Sequence, residues 1–262
     1  MEQLMYTIVN TILIGYKNIN SFGLYNGKMG ICMFFQEYAR YTNNHFYKDI
    51  ANQLINEICS HTFQEEESDI YDGYCGIGIG VIYLIKNYYQ EENYNSILFD
   101  IDNHVLHESI KISLKDISLD RPVCSAGLYL LHRILYCKKP LEQKQYINCF
   151  NSLFHYFNLK RESINTNNSN MIPFYNSMNV INCVLNKKRH NYADIVQHTF
   201  DISSESLWTD YLYGVSSLSV KKEVLKQVID NCLNEMTYDN YQDIGKIAEI
   251  GFLLLTHKII IN

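Results

Sequence analysis

YDGYCGIGIGVIYLIKN, residues 71–87, sets Gly76, Gly78 and Gly80 at alternate positions directly before the apolar run of residues 81–85. Glycine in a helix interior costs about 0.5–1 kcal/mol relative to alanine. Yet Val81, Ile82, Leu84 and Ile85 read as one side of a buried helix. A chain that places poor helix formers at the mouth of its most hydrophobic helix needs a reason, and the reason lies in repetition.

The same pattern recurs along the chain. GKMGI stands at 27–31, GYCGI at 73–77, CSAGL at 124–128, NSMNV at 176–180, YLYGV at 211–215 and a weaker QDIGK at 242–246. Each opens a helix-like stretch, and ICMFFQEYA, IGIGVIYLI, LYLLHRILY and IAEIGFLLLTH are apolar on nearly every face, as helices buried all round are. Between them lie amphipathic segments. Leu4, Ile8, Ile12 and Tyr16 recur at four-residue spacing, with Val9 and Leu13 beside them. Tyr47, Ile50, Ala51, Leu54 and Ile58 form the next stripe, followed by Ile97, Leu98, Ile101 and Val105. Phe150, Phe154 and Phe157 continue the series, and Val224, Val228 and Cys232 close it. An outer amphipathic helix, a glycine-containing turn and an inner apolar helix, repeated about six times, predict an all-α fold. The architecture expected is an (α/α)6 toroid of about twelve helices, a single domain over residues 1–262, with its last repeats shortened. Glycines at the mouths would let converging inner helices approach closely.

Composition narrows the function. The chain is 47% hydrophobic and 19% charged, enough for a sizeable core. A net charge of −6 and a pI near 5.8 argue against nucleic acid or an anionic membrane surface as partner. Residues 1–20 carry Glu2, lack a basic residue before the apolar stretch and are interrupted by Asn10, so they do not read as a signal peptide. No segment reaches the ~18–20 apolar residues of a membrane span. A cytoplasmic location with reduced thiols is expected, most of the eight cysteines acting as small apolar fillers.

The turns also gather polar groups: Asn26, Lys28, Asp72, Tyr74, Ser125, Asn176, Ser177, Asp210, Tyr211, Gln242 and Asp243. In a closed ring these would face one cavity, so Asn26, Lys28, Asp72, Tyr74, Ser125, Asn176, Asp210, Tyr211 and Asp243 are the expected ligand-binding residues. Asp72 and Asp210 precede inner helices, where a carboxylate serves as a cap. As a pair they could act as general acid and base, as in toroidal glycosidases. Cys75 and Cys124 sit where a helix N-terminus would lower a thiol pKa, and are the candidate nucleophiles. Cys59 and His61 end an outer helix and read as surface residues. His132 reads as a core histidine and Trp208 as a pocket wall or packing residue. His198 and His257 have no recognisable partners.

With these residues in place, the chain resembles the lanthionine synthetase C-like family. GLYNGKMGICMFFQEYARYTNN looks like its first unit, DGYCGIGIGVIYLIKN followed by ILFDIDNHV like the second unit of short members, and CSAGLYLLHRILY like the third. The resemblance is strongest over about residues 20–140. It implies an α/α toroid and an enzyme that cyclises peptides by adding a cysteine thiol to a dehydrated Ser or Thr. In such enzymes a zinc ion, held by one Cys and by an adjacent Cys-His pair in the late repeats, activates the thiol. In this sequence no cysteine is directly followed by histidine, and YLYGV and QDIGK contain neither residue. No metal ligand is carried over, and no cofactor is expected. The reading that follows is a zinc-free relative binding a peptide or a maturation enzyme in ribosomal peptide natural-product biosynthesis. The alternatives are an active cyclase-like enzyme with relocated ligands and a carbohydrate-active toroid using Asp72 and Asp210.

Overall fold

Helix follows helix wherever the computed structural model describes the chain, at residues 2–25, 27–60, 72–89, 97–114, 121–137, 139–160 and 242–256. In order these are α1 (Glu2–Gly15), a single 3-10 turn (Tyr16–Asn18), α2 (Lys28–Thr42), α3 (His45–Ser60) and α4 (Tyr74–Tyr88). Then come α5 (Phe99–Leu114), α6 (Arg121–Tyr136), α7 (Pro140–Lys160) and α8 (Gln242–Thr256). No strand occurs among the described residues. The protein is all-α.

Burial follows the two kinds of helix read from the sequence. In α2, Met29 through Glu37 are all buried, and in α4 Tyr74 through Ile82 are. In α1 and α3 one stripe is buried, Met5, Ile8, Val9 and Ile12 in the first and Ile50, Ala51, Leu54 and Ile58 in the second. Tyr6 and Ile14 lie on the exposed side of α1. The link between α2 and α3 is set locally. Asn43 takes a left-handed conformation, φ 52° and ψ 37°, that ends α2, and Asn44 N–H reaches back to Ala39 O at 3.2 Å. Asn44 Oδ1 then accepts the Phe46 N–H at 3.0 Å and caps α3.

The described helices fall into two compact units. In the first, α2 packs along α3 and α8, and α8 also packs on α1. In the second, α4 packs on α5 and α6, and α7 covers α5 and α6. One expectation needs correction. CSAGL does not open its helix: α6 begins at Arg121, with Pro122 in the first turn, where the missing N–H costs no helical bond. Ser125 and Gly127 therefore lie inside the helix.

At Gly27 the expected close backbone approach is present, a Cβ there standing 2.6 Å from Gly23 O and 2.7 Å from Phe22 C, whereas Gly78 and Gly251 face side chains. A Cβ on Gly78 would meet the Tyr129 ring, 2.9 Å from its Cδ2, and Ile101 Cγ2 at 3.1 Å. On Gly251 it would stand 2.5 Å from Phe34 Cε2 and 2.9 Å from Ile8 Cγ2. Gly78 and Gly251 are each the seat of an aromatic ring from a neighbouring buried helix.

Candidate functional site

Two helix mouths are described closely enough to compare with the expected site. At the start of α2 the first amides are already satisfied by the preceding loop. Lys28 N–H bonds Ser21 O at 3.0 Å, and Met29 N–H bonds Phe22 O at 3.3 Å and Gly23 O at 3.2 Å. The Lys28 side chain pairs with Glu57 of α3 at 2.8 Å, its ammonium 5.0 Å from the centre of the Phe22 ring. Glu57 also accepts from Gln53 Nε2 at 2.9 Å. The Lys28 hydrogen bond holds the Glu57 carboxyl below the usual carboxylate range, against an opposing contribution from burial. Lys28 thus ties α2 to α3.

At the start of α4 the N-cap is Gly73, extended at φ −109° and ψ −168°, with no side-chain cap bond. Asp72 sits one residue earlier and is exposed, beside the positive end of the helix. Tyr74 is buried, and its ring stacks on His104 of α5 with centroids 4.0 Å apart and planes 27° apart. Cys75 is fully buried, as is Cys32 of α2, whose thiol burial pushes up to about 12. Ser125 is buried within α6. Cys124 belongs to α6 and Asp243 to the first turn of α8. Asn26, Asn176, Ser177, Asp210, Tyr211, Trp208, His61, His198 and His257 lie outside the described residues, so the Asp72–Asp210 pairing rests on the sequence alone.

A buried polar assembly among the described residues contains none of the expected site residues. Asp102 of α5 is 6% exposed and Arg133 of α6 is fully buried. Arg133 grips the carboxylate with its fork, Nε to Oδ1 at 2.8 Å and Nη2 to Oδ2 at 2.7 Å. The Tyr129 hydroxyl donates to Oδ1 at 2.6 Å and the Tyr146 hydroxyl of α7 to Oδ2 at 2.7 Å. Each carboxylate oxygen therefore has two donors. Tyr146 also accepts from Arg133 Nη2 at 2.8 Å, and its ring centre lies 4.8 Å from the guanidinium carbon. Burial, then the neighbouring Asp102 charge, raises the Tyr129 phenol well above its ordinary range. Burial and the Asp102 hydrogen bond raise Tyr146 likewise. Burial works against the Arg133 charge, but the Asp102 bonds outweigh it and keep the guanidinium above its usual value. Tyr129, Arg133 and Tyr146 converge on one carboxylate, and both phenols stay protonated near neutral pH.

All-helical units with glycine-mouthed buried helices and amphipathic partners match a known class. The family model described as "Lanthionine synthetase C-like protein" matches residues 18–180. The chain belongs to this family. No curated protein and no solved structure shows a significant match.

The family chemistry raises the question of zinc. Among the described residues no three His, Cys, Asp or Glu side chains come together as a ligand set. The full sequence also lacks a Cys-His pair. No described group of residues supplies the metal centre of the cyclases.

Proposed function

We propose that this chain binds a peptide or a maturation enzyme during ribosomal peptide natural-product biosynthesis, without zinc and without cyclase chemistry. One observation carries the reading: the family scaffold is present over residues 18–180, yet no cysteine in the 262-residue sequence is followed by histidine. A scaffold can be retained for binding when the residues of its chemistry are gone. The proposed architecture is one (α/α)6 ring over residues 1–262, and the proposed ligand face is the mouth carrying Asp72, Tyr74, Asn176 and Asp210. Convergent polar side chains over a buried apolar wall are what orients a peptide in a concave site. A cytoplasmic protein acting on a peptide before export fits the same picture. Among the described residues no helix is long and apolar enough to cross a membrane.

The test is an anisotropy titration of the purified full chain with a fluorescein-labelled precursor peptide encoded by a neighbouring gene. Saturable binding in the presence of a chelator is expected. Asp72→Asn combined with Asp210→Asn should weaken it while the helical circular-dichroism signal persists. Thioether formation on a dehydrated peptide, dependent on stoichiometric zinc, would establish the cyclase reading instead.

A further inference from the structure

The helix that supports Tyr74 is held in an unusual way. Among the α5 residues whose burial is described, Ile101, Asp102, Val105 and Ser109 are buried, as is Leu98 just before the helix, and Phe99 is 60% exposed. An apolar stripe by itself leaves rotation and axial sliding poorly determined, because apolar contact is non-directional. Asp102 removes that freedom. A carboxylate that receives four hydrogens from Arg133, Tyr129 and Tyr146 fits at one position, and a shift of a single residue along α5 would leave the guanidinium buried without its partner.

The consequences reach α4 by two contacts on the same helix. Ile101, adjacent to Asp102, and the Tyr129 ring, held by Asp102, both press on Gly78. His104, two residues further along α5, stacks on Tyr74 in the first turn of α4. We infer that Asp102 and Arg133 are positioning residues: they fix the register of α5, and through His104 and the Gly78 seat they set where Tyr74 and the preceding Asp72 stand. Buried ion pairs are poor sources of net stability, and specifying register is their best-attested use. The consequence for binding rests on the reading of the α4 mouth as the ligand face.

The experiment separates register from stability by replacing the pair with apolar groups. In Asp102→Leu combined with Arg133→Met the buried charges leave together, so the helical fold can persist. The reporter is His104, whose ring protons are displaced upfield by the Tyr74 ring in a spectrum of histidine-labelled protein, assigned with His104→Gln. The double variant is expected to lose this displacement and to bind the labelled precursor peptide about tenfold more weakly. Should the double variant fail to fold, Arg133→Lys keeps the charge but removes the fork. It too should lose the His104 displacement. An unchanged His104 signal in either folded variant overturns the inference. Loss of the signal with unchanged peptide affinity supports the register role and removes the α4 mouth from the binding site.

Discussion

The α2–α3 packing and the α5–α6–α7 packing solve one problem by opposite means. Between α2 and α3 the contact is aromatic. Phe35 stacks on Tyr47 at 6.1 Å, and Tyr38 meets the same Tyr47 ring at 4.7 Å. Between α5, α6 and α7 the centre is a carboxylate with four donors. Rings supply area and tolerate small rearrangements. A buried charge supplies little net energy and tolerates none. The first region specifies that two helices bury a face; the second specifies which residue of α5 lies opposite which residue of α6.

The most severe way to break this contrast is to strand the guanidinium. Asp102→Ala should cost about 3–5 kcal/mol, because Arg133 would remain buried without its counter-charge. A urea midpoint close to that of the unsubstituted protein would show that water reaches the guanidinium. Next come the ring seats. Gly78→Ala or Gly251→Ala should each cost about 1–3 kcal/mol by overpacking, since the atoms met are rings held in the core. Unchanged thermal stability would mean that Tyr129 or Phe34 can swing away.

Phe35→Leu should cost about 1–2 kcal/mol, since an apolar side chain still fills most of the site. If instead it equals the loss from Asp102→Ala, the aromatic region is as exacting as the ionic one. The smallest effect belongs to the Lys28–Glu57 pair, where Glu57 is 38% exposed and solvent screens the charges. Its contribution should stay below about 1 kcal/mol. The sign follows from the lowered carboxyl pKa: the stabilisation is present above the unfolded-state carboxylate range and disappears as pH falls through the folded value. Glu57→Gln should therefore flatten part of the acid limb of a stability-against-pH curve and leave neutral stability nearly unchanged. An identical acid limb would mean that the pair adds nothing.

Among the described residues periodicity located most of the buried stripes, although Ile97 is 44% exposed and α6 starts ahead of CSAGL. Ile50, Ala51, Leu54 and Ile58 share one face of α3 as their spacing requires, and α4 begins at Tyr74 where the glycine pattern begins. What periodicity could not supply was the pairing of Asp102 with Arg133, 31 positions apart. In LYLLHRILY the histidine drew attention as the core residue, yet His132 is half-buried beside Tyr136 while its neighbour Arg133 is wholly enclosed. A guanidinium reads as surface in any one-dimensional scheme, because its burial depends on a partner that local sequence does not contain. The signal that could have found it was ILFDIDNHV itself: Asp102 falls on the same stripe as Leu98, Ile101 and Val105. Lys28 was misleading for the opposite reason, since its place at a helix mouth gave no hint of Glu57 on the next helix.

The seat of Ile244 against Gly15 joins α8 to α1, about 230 positions apart in the chain. At a ribosomal pace of about 5–20 residues per second, the intervening stretch of about 230 residues takes roughly 10–50 s to synthesise. Through that interval Phe34 and Ile8, which Gly251 later covers, have no α8 to shield them. During synthesis α1 and α2 must therefore wait for α8, and a premature stop codon before residue 242 would leave the apolar faces that α8 covers open to aggregation.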